Sequence, residues 1–367
     1  FGVRGSTVHG AAKLLAWWIP SFDTNRFDAK LYAVKNPDVS TRTLEEDGLQ
    51  IAYMGQSAFS PSTLPTFLRV IRQENADIVH LHGWIAANFG RIAGRIAGVP
   101  TVMHEHGVDP NFPAVQRNVD RLLSRFTHTA VAVSSSVRDF LINKRFVDPA
   151  KIRVIYNGTP LEKFALPERA IVDRAKADLG IPAGSRVVGT VGRLDTQKGI
   201  TYLLHAARRV KEACPDVYFL IVGDGPLRAQ YEAEARDLGL AESVIFTGHR
   251  SDLPALLSMF DVQVFPSLWE GLPLTLIESM ASGRPIVSTN VDGLGEALTD
   301  GKNAVVVPPA AWEPLAEGTI RLLTDRELAH RLGENAFTRS KDFDNRITVK
   351  KLEDLYEELC SGRKRGR

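Results

Sequence analysis

Two acidic residues, Glu270 and Glu278, lie eight positions apart on either side of a predicted helix start. A short apolar run precedes them and ends at Pro266, and Pro273 is typical of a first helical turn. Residues 271–275 would then present unpaired backbone N–H groups at the positive end of a helix dipole, which favours an anion. The carboxylates would repel phosphate but accept hydrogen bonds from sugar hydroxyls. The segment predicts a ligand that carries both groups, although an ordinary helix with Glu278 on a solvated face is the alternative.

A cationic loop follows another predicted strand, Arg186 to Val191. It contains Gly192, Arg193 and Lys198 in the sequence Gly-Arg-Leu-Asp-Thr-Gln-Lys-Gly. Glycine permits close approach of the backbone, arginine offers a planar fork of donors, and lysine supplies a point charge. This combination suits a diphosphate, and a surface loop with two solvated cations is the alternative that residue types leave open.

Four histidines occur as two His-x-His pairs. His80 and His82 lie in Val-His-Leu-His-Gly, and His104 and His106 lie in Met-His-Glu-His-Gly. Both pairs fall at the carboxyl end of a predicted strand, where open α/β sheets bind ligands. A metal site of the kind found in metal hydrolases is one interpretation, but Glu105 is the one evident carboxylate nearby. Core or hydrogen-bonded imidazoles are the favoured interpretation for His80 and His104, and the role of His82 stays open.

Strand and helix patterns alternate along most of the chain, which predicts an α/β protein with parallel sheets covered by helices on both faces. We predict a first domain over residues 1–165 and a second over residues 185–345. A helix followed by a disordered basic tail, residues 346–367, is expected to cross back to the first domain. The glycine-rich opening segment has no strand ahead of it, so we expect that a first strand precedes Phe1.

Composition limits the class of protein. The 367 residues are 44% hydrophobic and 24% charged, and two cysteines exclude a disulfide scaffold and fit a reducing, cytoplasmic compartment. No apolar run reaches the ~18–20 residues that span a bilayer. Residues 1–175 carry 21 basic and 16 acidic side chains, a net charge of +5, whereas residues 176–367 carry 24 and 27, a net charge of −3. This basic half is too dilute for nucleic acid but compatible with an anionic acceptor or the inner membrane face.

The segment Trp-Glu-Gly-Leu-Pro-Leu-Thr-Leu-Ile-Glu, residues 269–278, resembles the Glu-x7-Glu region of retaining glycosyltransferases of the group 1 / family 4 type. Most of the remaining chain agrees with this resemblance. It implies the GT-B fold, in which two Rossmann-like, doubly wound domains face each other across a cleft. It also implies a hexosyltransferase that retains anomeric configuration. The donor would be a nucleoside-diphosphate sugar, of UDP or GDP, and the acceptor a glycan, a lipid-linked sugar or a small molecule.

The resemblance also assigns roles to individual residues. It places His106 and Glu270 at the donor sugar, where they would be the catalytic residues, and Glu278 at the ribose hydroxyls. Arg193 and Lys198 would bind the donor diphosphate. The remaining donor-binding residues that it implies are Gly5, Arg250, Gly271, Leu272, Pro273, Leu274 and Thr275.

No cofactor or metal ion is expected, because cations and a helix N-terminus suffice to stabilise a leaving diphosphate. The Asp-x-Asp at Asp342 and Asp344 does not follow a predicted strand, and we interpret it as solvated. A GT-B epimerase or hydrolase of sugar nucleotides is the main alternative function. A histidine-based metal hydrolase and a non-catalytic nucleotide-binding protein are further alternatives. The segment Ala16 to Ile19, with two tryptophans, either packs as a helix face or touches a membrane.

Overall fold

The computed structural model describes residues 10–46, 48–57, 60–165 and 169–365. The chain divides into two compact units. Unit 1 consists of Phe1–Gly158 together with Asn345–Arg367, and unit 2 consists of Thr159–Asp344. Both units are α/β, as the alternating pattern predicts.

Unit 1 contains a two-stranded and a four-stranded parallel sheet. The small sheet pairs β1 (Leu31–Ala33) with β2 (Ile51–Tyr53), and the larger one has the order β3 (Val79–His82), β4 (Thr101–Glu105), β5 (Thr129–Ala132) and β6 (Ile152–Val154). The helices between them are α1 (Gly10–Trp18), α2 (Val39–Glu46), α3 (Thr63–Gln73), α4 (Trp84–Ala97), α5 (Ala114–Leu123) and α6 (Ser135–Asn143).

Two glycines allow helix α4 to lie close to the four-stranded sheet. A Cβ atom on Gly90 would meet the Leu81 side chain of β3 at 2.2 Å, and one on Gly94 would meet the Thr101 side chain of β4 at 2.2 Å. Strand β5 is buried along its whole length, and β4 over its first four residues, as expected for parallel strands covered on both faces. The histidine-bearing ends of β3 and β4 are therefore held on a tightly packed sheet.

Unit 2 is built on a six-stranded parallel sheet with the order β12-β11-β10-β7-β8-β9. The strands are β7 (Arg186–Val191), β8 (Val217–Val222), β9 (Val244–Gly248), β10 (Val262–Phe265), β11 (Ile286–Thr289) and β12 (Val305–Val307). The helices are α7 (Arg169–Asp178), α8 (Ile200–Ala213), α9 (Arg228–Asp237), α10 (Leu253–Met259), α11 (Leu274–Ala281), α12 (Asp292–Gly295), α13 (Trp312–Thr324) and α14 (Arg326–Ser340). Apolar residues of α8 and α13 form one buried core with β7, β8 and β10.

The direction of strand addition in unit 2 reverses between β7 and β10. The chain runs outward from β7 through β8 to β9 and then returns to the other side of β7 as β10. In open α/β sheets the loops that leave such a reversal point diverge and leave a binding crevice. The loops after β7 and β10 contain Lys198 and Glu270, so the topology brings the two predicted donor-binding segments together.

The division between the units differs from the predicted boundary at residue 165. Thr159 forms an isolated parallel bridge with Asp344, and its backbone N–H donates to the carbonyl of Phe343 at 3.0 Å. Phe164 is also buried. Residues 159–165 therefore belong to unit 2. The sequence did not reveal this boundary, because local sequence patterns carry no record of backbone pairing between residues far apart in the chain.

The last helix, α15 (Asn345–Arg365), belongs to unit 1. Its Thr348 hydroxyl donates to the carbonyl of Tyr156 at 2.9 Å, and its Glu353 accepts a hydrogen bond from the Asp23 backbone at 2.9 Å. The helix extends to Arg365, so the prediction of a disordered tail is wrong for residues 361–365. None of the helices in the described ranges combines the length and the apolar character needed to cross a bilayer.

Candidate active site

An ion pair joins the two loops at the reversal point of unit 2. The Lys198 ammonium contacts Oε1 of Glu270, and both side chains are largely withdrawn from solvent, with exposed fractions of 18% and 5%. Lys198 ends a short 3-10 turn after β7, and Glu270 lies in the loop after β10. The pair places one positive and one negative group where the sequence predicts the donor diphosphate and the donor sugar.

Two further side chains hold the carboxylate of Glu270, and sequence reasoning missed both. The Ser267 hydroxyl donates to Oε1 at 2.8 Å, and the Gln197 amide donates to Oε2 at 3.2 Å. Gln197 also donates to the Trp269 carbonyl at 2.9 Å. Each oxygen of Glu270 is thus engaged by at least one donor, which fixes the orientation of the carboxylate. The sequence did offer one signal for these two residues, which is their closeness to predicted site residues. Ser267 lies three positions before Glu270, and Gln197 lies next to Lys198.

Glycines permit backbone segments to touch at two points of this site. Gly199 has a left-handed conformation, with φ of +62°, and a Cβ atom there would lie 2.1 Å from the Pro266 carbonyl oxygen. A Cβ atom on Gly293 would lie 1.4 Å from the carbonyl oxygen of Gly271. A side chain at either position is incompatible with this arrangement, so both glycines are required for the geometry of the site.

Helix α11 begins at Leu274, directly after Pro273, which is the cap residue rather than the first helical residue. The backbone N–H groups of Leu274 and Thr275 belong to the first turn, where no intrahelical acceptor is available. Gly271 and Leu272 are buried beside this turn. Glu278 lies one turn further along the helix and is fully buried, which excludes the solvated-face alternative.

The other predicted donor-binding residues are less closely tied to the pair. The Arg193 side chain is 44% exposed and approaches Asp195 at 3.7 Å. The Arg250 guanidinium donates to both carboxylate oxygens of Asp252, at 2.8 and 2.6 Å, so its fork is occupied within its own loop. Gly5 lies outside the residues that the structure describes. The roles of these three residues toward a donor stay predictions.

In unit 1 the four histidines of the two His-x-His motifs form a compact array, which we call the histidine quartet: His80, His82, His104 and His106. His80 Nε2 lies 3.0 Å from His104 Nδ1, and His82 Nδ1 lies 2.9 Å from His106 Nε2. These two hydrogen-bonded pairs stack on each other, with ring centroids 4.4 Å apart both between His80 and His82 and between His104 and His106. The parallel register of β3 and β4, with His82 opposite His104, produces this array.

Burial keeps the imidazoles of the quartet neutral. Desolvation lowers the pKa of His80 to about 3 and that of His106 to about 4, and like-charge repulsion adds to the effect at His80. Desolvation also holds the pKa values of His82 and His104 well below the ordinary histidine range. Trp18 stacks on His104 with centroids 5.3 Å apart and closes one side of the array. Trp18 is 1% exposed, so the packed-helix alternative is correct for this tryptophan.

A buried charge network supports the turn that carries His106, and no sequence signal identified it. The backbone N–H of His106 donates to Glu105 at 3.2 Å, and Arg145 forms an ion pair with the same glutamate. Arg145 also donates to Asp120 at 2.9 Å, and Asp120 accepts from Arg91 at 2.6 Å. Burial by itself would raise the pKa of Asp120, but these two arginines outweigh burial and lower it.

The Asp342-x-Asp344 motif does not form a paired carboxylate site. Asp342 is exposed and accepts a hydrogen bond from Arg339 at 2.6 Å. Asp344 is 6% exposed, so its interpretation as solvated is wrong. Asp344 also forms an isolated backbone bridge with Thr159.

Comparison with known families covers both units. The model described as "Glycosyl transferases group 1" matches residues 172–339, and that described as "Glycosyltransferase Family 4" matches residues 30–163. A UDP-Gal:alpha-D-GlcNAc-diphosphoundecaprenol alpha-1,3-galactosyltransferase of Escherichia coli is 31% identical over 310 residues, which is 81% of this chain and 79% of that protein. The chain belongs to the group 1 / family 4 glycosyltransferases. It is a glycosyltransferase enzyme, and the family assigned from the Glu-x7-Glu segment is confirmed.

A further relative and a solved structure also resemble this glycosyltransferase. An alpha-D-kanosaminyltransferase of Streptomyces kanamyceticus is 29% identical over 72% of this chain and 73% of its own length. The crystal structure of Anabaena Alr3699/HepE in complex with UDP-glucose superposes with a TM-score of 0.85 at 22% identity and covers 98% of each chain. This likeness confirms the predicted GT-B fold.

Proposed function

We propose that this glycosyltransferase moves a hexose-type sugar from a nucleoside-diphosphate sugar to a glycan or lipid-linked acceptor, with retention of configuration and without a metal ion. The observation that carries the proposal is the Lys198–Glu270 pair at the reversal point of unit 2. It juxtaposes a cation for the leaving diphosphate with a fixed carboxylate for sugar hydroxyls.

The reaction requires the glycosidic bond to the diphosphate to break while charge accumulates on the departing phosphate oxygens. Lys198, Arg193 and the first-turn amides of α11 supply fixed positive charge and dipoles, which lower the energy of that charge without a metal. Glu270 would accept hydrogen bonds from the donor sugar, and Glu278 from the ribose. His106, held by His82 and by the turn at Glu105, would contact the sugar with an imidazole that stays neutral near pH 7.

Relatives support UDP as the first donor base to test. The E. coli relative is named for UDP-Gal, and the Anabaena structures contain UDP, UDP with glucose, and UDP-glucose. The names of the E. coli and Streptomyces relatives specify alpha linkages or configuration, which agrees with a retaining reaction. GDP stays the second base on the donor panel.

An exposed helix supports contact with an anionic membrane surface that would carry a lipid-linked acceptor. On α5, Val115 and Leu122 are 77% and 57% exposed, and Arg117 and Arg121 are exposed on the same helix. Apolar and basic side chains presented together bind anionic bilayer surfaces. We therefore propose a peripheral location at the inner face of the membrane. Sedimentation with anionic and with neutral vesicles would test it, and equal binding to both would contradict it.

The donor experiment combines binding with product analysis. Thermal shifts against UDP- and GDP-sugars would identify the donor, and NMR of the transferred sugar would report its anomeric configuration. We expect one nucleotide sugar to raise Tm more than the free nucleotide does. We also expect that a donor whose sugar–diphosphate bond is axial gives a product whose new glycosidic bond is axial. Inversion of configuration, or binding of no nucleotide sugar, would contradict the proposal.

A further inference from the structure

Three histidines of the quartet have the composition and proximity of a metal site. One ring nitrogen from each of His80, His82 and His104 lies within 4.8 Å of the corresponding atoms of the other two. Zn²⁺ binds imidazole nitrogens at about 2.0–2.1 Å, so tetrahedral ligand atoms are about 3.3 Å apart. The His80 and His104 nitrogens are already 3.0 Å apart. The three rings stack nearly parallel, so they would rotate to direct their nitrogens at one ion.

The surroundings of these rings match those of a metal-binding imidazole. Histidine ligands use their second nitrogen for a hydrogen bond that fixes ring orientation. The Tyr356 hydroxyl, on α15, lies 2.6 Å from Nδ1 of His80 and leaves its Nε2 directed toward His104. For an ion to bind through Nε2, His80 would carry its proton on Nδ1 and donate it to the Tyr356 oxygen. His80 is thus oriented before any ion arrives.

Unsatisfied nitrogen atoms indicate that hydrogen bonding alone does not complete the quartet. His104 is 3% exposed, and its Nε2 atom is buried without a hydrogen-bond partner among the described residues. A buried polar atom without a partner has lost its hydrogen bond to water and gained none in the protein, which is unfavourable. An ion bound through Nδ1 of His104, the nitrogen that faces His80, would replace this imidazole–imidazole contact with a coordinate bond.

We propose that His80, His82 and His104 form a binding site for a divalent ion that prefers nitrogen ligands, with Zn²⁺ and Co²⁺ as the ions best suited to it. The described residues within this group include no carboxylate or thiolate, which disfavours Mg²⁺ and Ca²⁺ because both prefer oxygen ligands. The fourth position would be left to water. The ion is not proposed to act on the leaving diphosphate, a role proposed for the cations of unit 2, and its binding is measured without sugar transfer, so failure of one proposal leaves the other standing.

Titration of the untagged, EDTA-treated and desalted chain with Co²⁺ tests the site directly. We expect one ion per chain, the visible absorption of four-coordinate Co²⁺, displacement by Zn²⁺, and a higher Tm when the ion is bound. His80→Ala and His104→Ala should each weaken binding by at least about tenfold. An exposed histidine of the same unit provides the matched control, and His128→Ala should bind as tightly as the native chain.

Two additional variants keep the test decisive if an alanine variant fails to fold. Tyr356→Phe removes only the hydroxyl that orients His80, and we expect it to fold and to bind Co²⁺ about tenfold more weakly. Cys360→Ser should leave binding unchanged and so exclude a thiol as the source of the signal. Native chain that binds no Co²⁺, or a Tyr356→Phe variant and histidine variants that all bind as the native chain does, would overturn the proposal.

Discussion

Lys198 and Glu270 are 72 positions apart in the chain, yet they form a partly buried ion pair at the reversal point of the six-stranded sheet. Their strands, β7 and β10, are neighbours in that sheet. A ligand with both anionic and hydroxyl groups can use both members of this pair. Several properties of the enzyme are expected to depend on it.

Removal of the Lys198 ammonium should impair catalysis far more than folding. We expect Lys198→Ala to lower kcat/KM by about 10²–10³-fold, the usual effect of removing one group that stabilises transition-state charge. The exposed Lys302 is a matched control in the same unit, and Lys302→Ala should retain native activity. Initial rates of nucleotide release in the presence of acceptor provide the measurement. Equal rates for native enzyme and Lys198→Ala would contradict the assigned role.

Gly199 should tolerate no side chain. Gly199→Ala would place a Cβ atom 2.1 Å from the Pro266 carbonyl oxygen, in addition to the strain of a left-handed backbone at +62°. Gly239 has a similar φ of +73°, and a Cβ atom added there would meet nothing within 4 Å, so Gly239→Ala isolates the backbone strain. We expect Gly239→Ala to lose about 1 kcal/mol of unfolding free energy and Gly199→Ala to lose more. Urea denaturation of both variants tests this order.

Arg145 should be essential to the stability of unit 1. Its loss would leave Asp120 and Glu105 with fewer positive partners in a buried site, and breaking such a network costs about 3–5 kcal/mol. Arg138 is exposed on the neighbouring helix α6, and Arg138→Ala should change the unfolding free energy by less than about 0.5 kcal/mol. Chemical denaturation compares the two variants. A small effect of Arg145→Ala would mean that the network is not a source of stability.

Acid should destabilise the metal-free chain between pH 6.5 and pH 5. The folded-state pKa values of His80 and His106 are lowered to about 3 and about 4, below the ordinary value of 6.5. The unfolded chain therefore binds protons that the folded chain does not, so the unfolding free energy falls as pH decreases through 6.5. Urea titrations in EDTA measure the slope, and His106→Gln should reduce it.

Chelation should leave sugar transfer intact. Since we propose that Lys198, Arg193 and the helix amides supply the positive charge for the leaving diphosphate, we expect the rate in excess EDTA to match the untreated rate. Addition of Mn²⁺ to the chelated enzyme should not raise the transfer rate above that of the untreated enzyme. Loss of activity in EDTA with recovery in Mn²⁺ would show that the diphosphate requires a metal ion.

The sequence by itself determined the fold class and the family, and it singled out the two segments that we predict to bind the donor. Alternating strand and helix patterns are local, because periodicity and glycine or proline positions act within a few residues. The Glu270–Glu278 spacing and the loop from Gly192 to Lys198 are equally local. The sequence therefore sufficed to place these residues at strand ends, although it left Arg250 without the Asp252 partner that occupies its guanidinium.

Tertiary structure alone decided which distant residues meet. Parallel register sets His82 opposite His104 and so turns two short motifs into a stacked quartet. The network of Arg145 joins Glu105 to Asp120, and the return of α15 brings Tyr356 to His80. These contacts depend on sheet order and chain return, which no short window of sequence records, because the free energy that selects them comes from burial of the whole unit rather than from neighbouring residues.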